Sequence, residues 1–134
     1  MCCFPNGAAL RIVAPMNDCN VWDVLKVPFP YTNRPVHQYR PALVVAMDQG
    51  VNPLLLWVLL ITSAENREWP GDVGITDLHA AGLPAVSVVR TAKIATIEQS
   101  AAERIGSLSM ADRQQVTAAV RDRLAAAGIT NVVR

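Results

Sequence analysis

Apolar residues in this chain come in short runs broken by proline, glycine and polar clusters. Only near the C-terminus do they recur at helical spacing. Val21 to Val27 alternates imperfectly and predicts a strand. Pro28 and Pro30 are expected to stop it, because proline cannot donate to a ladder, which leaves residues 29–40 as a loop. Ala42 to Met47 predicts a buried strand, and Asp48-Gln49-Gly50 with Asn52-Pro53 marks a turn. Leu54 to Ile61 is continuously apolar, the pattern of a central strand, and Thr62 and Ser63 form its polar end. Glu65 to Asp72 predicts a second loop around Trp69-Pro70-Gly71. Val73 to Ile75 suggests a short strand, and Leu78 to Pro84 a turn built on Gly82 and Pro84. Val86 to Arg90 and Lys93 to Ile97 predict two strands or one bent strand. Ser100 to Glu103 allows one helical turn, and Arg104 to Leu108 a last strand.

The terminal helix carries the clearest local signals. Ser109 suits the N-cap, and Asp112 suits the first turn and its dipole. Val116, Val120 and Leu124 fall at four-residue spacing with Ala119 and Ala127 beside them, which gives one apolar stripe. Arg113, Arg121 and Arg123 lie mostly off it, and Gly128 is a natural stop. Short strands followed by one helix predict an α+β fold, mainly β: a small, strongly bent antiparallel sheet, closed like a barrel and capped by the helix.

Composition refines this picture. A chain of 134 residues fits one domain, and 51% hydrophobic residues provide a core. With mean hydropathy of +0.24 and 17% of residues charged, the chain is lean in charge for a monomer and points toward an oligomer. The net charge of +1 gives no bulk signal for a polyanion, so any such charge must be local. Cys2, Cys3 and Cys19 are odd in number and lack metal-ligand spacing, so reduced thiols and a cytoplasmic setting are expected. No apolar run reaches membrane-spanning length, and residues 1–15 lack the pattern of a signal peptide. Met16 offers a second start. Residues 1–20 are therefore expected to be an extension, flexible or from a mis-chosen start, ahead of a domain at 21–134.

The candidate chemistry gathers in the first loop. Asn33, Arg34, His37, Gln38, Tyr39 and Arg40 make it polar and cationic, a place to meet an anionic polymer. His37 titrates near neutral pH and could serve as acid or base. Tyr31 and Tyr39, with Trp69 in the second loop, offer faces on which bases could stack, at about 1–3 kcal/mol each. A solvated histidine and rim-packed aromatics are the plain alternatives.

The string Trp22-Asp23-Val24-Leu25-Lys26-Val27-Pro28-Phe29-Pro30-Tyr31-Thr32 resembles the opening of the MazF/PemK toxins of type II toxin–antitoxin modules. Arg40-Pro41-Ala42-Leu43-Val44 resembles their second-strand motif, and Ile61-Thr62-Ser63 their third-strand ending. Val88-Val89-Arg90, Lys93-Ile94-Ala95-Thr96-Ile97 and Ile105-Gly106-Ser107-Leu108-Ser109 follow in the family's order. The resemblance implies an SH3-like barrel that forms a homodimer and cuts single-stranded RNA without a metal or other cofactor. It implies 2′-hydroxyl attack that leaves a 2′,3′-cyclic phosphate and a 5′-hydroxyl, and a cognate antitoxin that holds the toxin inactive. It assigns the active site to Arg40, Thr62 and Ser63, with Arg90 binding RNA in some members. Arg90 could equally pair with a carboxylate. Some members carry an acid two positions after that arginine as general base; here that position is Ala92. His37, Glu65 and Asp72 are the remaining candidates for the base.

Two non-catalytic readings stand beside this one. A degenerate toxin would bind its antitoxin without cutting, and Ala92 favours it. A CcdB-like gyrase poison would use a tryptophan-containing C-terminal segment, which the ending Ala127 to Arg134 lacks.

Overall fold

The computed structural model describes residues 19–30, 37–48, 50 and 54–128, with the backbone alone for Phe29, Pro30, His37 and Gln38. Strand β1 spans Asp23–Pro30, β2 His37–Asp48, β3 Leu55–Ser63 and β4 Asp72–Gly74. Helix α1 covers Leu78–Ala81, β5 Ser87–Glu98, β6 Glu103–Ser107 and α2 Met110–Ala126. The strands form one antiparallel sheet in the order β4-β5-β3-β2-β1-β6. The continuous apolar run is indeed central: β3 lies between β2 and β5, buried on both faces.

Alternation along β3 separates two cores. Leu56, Val58 and Leu60 pack with Leu25, Val27, Ala42, Val44 and Ile97 on one face. Leu59 and Ile61 pack with Val24, Leu43, Val89, Leu108 and Val116 on the other, which α2 covers. The register shifts between Val44 and Ala46, between Leu59 and Leu60, and between Val24 and Leu25. Such irregularities bend a sheet. In β5 the shift falls where Leu59 pairs with Ile94 and Leu60 with Arg90. The two apolar stretches of β5 are thus one strand with Thr91 to Lys93 bulged out.

The expected closed barrel is corrected to a bent, open sheet. Its edges are the three-residue β4 and the five-residue β6. The chain leaving β4 turns into α1, and α1 occupies the space beside β6. A Cβ at Gly106 would overlap the Ala80 and Ala81 carbonyls, and one at Gly82 would overlap the Ile105 carbonyl. Gly82 also holds φ 74°, a left-handed helix stop. Two glycines therefore let α1 rest on β6 in place of a strand.

Other local expectations change. Pro28 and Pro30 do not end β1, which pairs with β2 out to Pro30↔His37. Strand β6 leaves β1 at Lys26↔Glu103, so beyond that point one side of β1 is an edge. Residues of equal parity send their N–H the same way, so both prolines can lack that donor at no cost to the β2 ladder. The stretch read as a turn at Leu78 contains α1, capped by the Asp77 carboxylate accepting from Ala80 N–H at 3.0 Å. The expected helical turn near Ser100 is a 3-10 turn at Gln99–Ala101. Trp22 precedes β1 with a positive φ of 79° rather than lying within a strand.

Helix α2 follows its expected caps. Ser109 Oγ accepts from Asp112 N–H at 3.3 Å, and Gly128 adopts a positive φ. Asp112 is 2% exposed. It accepts from Thr76 N–H at 2.9 Å and Thr76 Oγ1 at 3.0 Å, which pins the helix to the β4–α1 connection. Val116 is buried, whereas Leu124 is 45% exposed, so the apolar stripe outruns the sheet. Among the described residues no helix is long and apolar enough to cross a membrane. Of the expected extension at residues 1–20, residues 1–18 lie outside the described residues, and Cys19 is buried in the core.

Candidate functional site

The polar end of β3 opens into a groove of about 460 Å³. One wall is Lys26 with Arg40 and Pro41. The floor is Ile61, Thr62 and Ser63, with Asn66 and Ser87, and the far wall is Gly82 to Ala85 with Ile105. Strand pairing explains the convergence. The β2–β3 ladder ends at Ala42↔Leu60, and just past that end Arg40 and Thr62 line the same groove. Ser63 pairs with Ser87, and Lys26 with Pro41. The α1–β6 contact then carries the Leu83-Pro84-Ala85 segment over the opening.

Arg40, Thr62 and Ser63 thus share one groove, as does Lys26, which the sequence reading left out. Two cationic side chains, three hydroxyls and an amide line it, and among the described residues no carboxylate or imidazole does. The hydroxyls are held. Thr62 is 7% exposed, and its Oγ1 accepts from Asn66 Nδ2 at 2.6 Å. Ser63 Oγ accepts from Glu65 N–H at 3.1 Å, and Ser87 Oγ donates to the Ala85 carbonyl at 2.8 Å.

The remaining predicted residues are dispersed. Tyr39 is 66% exposed. It adjoins Arg40 in β2 but is not among the residues that line the groove. His37 starts β2 opposite Pro30, with its side chain outside the described part. Tyr31 and Arg34 lie outside the described residues.

Arg90 is in a different environment. It is 7% exposed and faces Leu60 on one side and Asp72 on the other. Its Nε and one terminal nitrogen donate to the two Asp72 oxygens at 3.2 and 3.0 Å, and the same terminal nitrogen donates to the Arg67 carbonyl at 2.7 Å. Trp69 stacks on the guanidinium with its ring centre 4.5 Å away and has Lys93 at 5.8 Å. Trp69 N–H donates to Asp72 as well. The ion-pair reading of Arg90 describes this geometry, and Asp72 has both oxygens engaged. The sequence reading missed Asn66, Ser87 and the Gly82–Ala85 wall. Asn66, a short amide in a turn four residues after Thr62, was the one visible hint.

The fold and groove together define a class: small α+β proteins in which a bent antiparallel sheet backed by a C-terminal helix carries cations and hydroxyls at one strand end. A family profile for the PemK-like, MazF-like toxin of type II toxin–antitoxin systems matches residues 20–124, and the chain belongs to that family. Solved structures agree in fold. MazF from Deinococcus radiodurans superposes with a TM-score of 0.62 at 20% identity, covering 80% of this chain and 96% of that one. The Mycobacterium tuberculosis toxin MazF-mt6 gives 0.59 at 21%, covering 77% and 96%. A mycobacterial endoribonuclease in complex with its cognate antitoxin gives 0.59 at 16%, covering 84% and 96%. No curated protein matches the chain in sequence.

Proposed function

We propose that this toxin is an endoribonuclease that cuts single-stranded RNA in the groove. The substrate's 2′-hydroxyl attacks the adjacent phosphorus, a 2′-O–P bond forms, and the 5′-oxygen of the next nucleotide leaves with a proton. The products are a 2′,3′-cyclic phosphate and a 5′-hydroxyl. The nucleophile belongs to the substrate, so the protein has to stabilise charge and move protons, and the scheme calls on no metal or other cofactor. The observation that carries the reading is the convergence of Arg40, Thr62 and Ser63 on one groove free of lining carboxylates among the described residues.

Arg40 holds the phosphate. Its planar fork stays charged and can grip two oxygens. Thr62 and Ser63 donate hydroxyls to an oxygen as charge develops there. Lys26 adds a second cation, and Tyr39, with Tyr31 and Arg34, receives the neighbouring nucleotides. His37 is the proton acceptor or donor. In this scheme Asp72 is kept from that role by the two hydrogen bonds it accepts from Arg90, and Arg90 and Trp69 stand outside the groove lining.

Purified protein with a mixed-sequence RNA in EDTA tests this. Cyclic-phosphate ends that vanish in Arg40→Ala are the expected result; intact RNA beside a folded protein sinks it. That second outcome would favour a toxin that binds but does not cut, a reading suggested by Ala92 and by the lack of a lining carboxylate or imidazole among the described residues.

The cognate antitoxin lays a disordered acidic segment along the same groove, in place of RNA, and folds as it binds. Arg40→Glu should then weaken antitoxin binding at least about tenfold, by loss of a charged contact; unchanged affinity refutes the shared groove. The toxin domain, residues 21–134, works in the cytoplasm as a homodimer. Support for the dimer comes from the low charge content and from Trp57 and Ile94, exposed on the sheet. Light scattering reads the mass directly.

A further inference from the structure

We infer that Asn66 is a positioning residue that sets the direction in which the Thr62 hydroxyl donates, and that Arg90 acts on the groove through the loop carrying Asn66. This rests on the reading of the groove as a phosphate-binding active site.

Asn66 Nδ2 lies 2.6 Å from Thr62 Oγ1. The amide nitrogen can only donate, so the threonine oxygen accepts, and its one proton is left for another acceptor. Thr62 is nearly buried, and the space it lines is the groove. A hydroxyl held this way offers its proton to a phosphate oxygen without first reorienting, which is the preorganisation that charge stabilisation requires. The substitution Asn66→Asp would invert the bond: a carboxylate accepts, and it would draw the Thr62 proton away from the groove.

The loop needs an anchor, because Asn66 itself is exposed. Asn66 N–H donates to the Ser63 carbonyl at 3.1 Å. The next carbonyl, that of Arg67, accepts from Arg90 at 2.7 Å. The same guanidinium grips Asp72, at the loop's far end. Arg90 therefore ties both parts of the loop to β5 and fixes where Asn66 stands. It can influence cleavage without touching RNA.

The test uses the full chain and the variants N66A, N66D, T62V and N66A/T62V, with single-stranded RNA in EDTA. N66A should lower kcat about 10- to 100-fold, the scale of a misplaced catalytic group. KM should stay within about twofold. N66D should be slower than N66A. The double variant should be no slower than T62V, because the two residues act as one unit. Additive losses, or N66D with wild-type kcat, overturn the inference.

R90K keeps the charge and loses the fork. It should lower kcat in the wild-type background and have no effect on N66A. An R90K protein with raised KM and a shallower salt dependence would instead put Arg90 on phosphate and refute its indirect role.

The side-chain amide resonances of Asn66 read the hydrogen bond without catalysis. They should shift in T62V, and unmoved resonances overturn the inference. A wild-type protein that leaves all RNA intact refutes the cleavage reading alone. Affinity for a 2′-O-methyl oligoribonucleotide then replaces kcat. N66D should weaken it, N66D/T62V should be no weaker than T62V, and equal affinity of N66D and wild type counts against the inference.

Discussion

Arg40 and Arg90 are the same residue on strands separated only by β3, yet they occupy opposite kinds of site. Arg40 stands at an open groove with Lys26 and hydroxyls, and no carboxylate lines that groove among the described residues. Arg90 is clasped by Asp72, Trp69 and a backbone carbonyl, and is nearly closed to solvent. The difference is one of burial and surroundings: Arg90 is closed off within the fold, while Arg40 is half-buried and lines a groove. An arginine buried against a carboxylate serves packing, because moving it would strand that carboxylate. An arginine that lines an open groove is within reach of an anion from outside.

The comparison breaks most sharply at the clasp. Arg90→Ala should cost about 3–5 kcal/mol in chemical denaturation, since it leaves Asp72 buried without its partner. Arg90→Met with Asp72→Leu should recover most of that loss, because the pair itself adds little over apolar packing. A small loss in the single variant would mean the clasp is not what holds β4 to β5.

At the groove the effect moves from stability to rate. Arg40→Ala should slow RNA cleavage about 10²–10³-fold, with stability changed by less than about 1 kcal/mol. Matched losses in rate and stability would erase the distinction between the two sites. Lys26→Met should act on binding alone and reduce the slope of log affinity against log salt by about 1. An unchanged slope would remove Lys26 from the phosphate path. The smallest effect is expected at Trp69→Leu, about 0.5–2 kcal/mol from the lost cation–π contact. RNA affinity that falls with stability intact would return Trp69 to the base-stacking role first considered for it.

This comparison also shows where sequence reading stops. Apolar runs predicted β2, β3, β5 and β6, and the caps at Ser109 and Gly128 predicted α2, because those signals are local. The fate of Pro28 and Pro30 was not local. It depends on β6 leaving β1 at Lys26, a contact from the other end of the chain. Helix α1 was too short to show a period, though Asp77 and Gly82 bracket it in the way caps do. Arg40, Thr62 and Ser63 were legible through motif resemblance, and pairing explains why they meet. Arg90 stood open between RNA binding and an ion pair, since the carboxylate that matches it lies 18 positions away in β4. Asn66 had no apolar pattern and no motif, only a place in a turn. Barrel closure was overestimated because α1, not a strand, fills the space beside β6.

The pairing of β1 with β6 has a consequence for synthesis. Lys26 belongs to the first strand and Ile105 to the last, and both are walls of the same groove. A ribosome releases them far apart in time. A nascent chain that ends before β6 has one wall missing and no partner for the outer side of β1. Gly106 must also emerge before α1 can settle and bring Leu83 and Pro84 over the opening. The groove is therefore completed late in synthesis, only once β6 has joined β1.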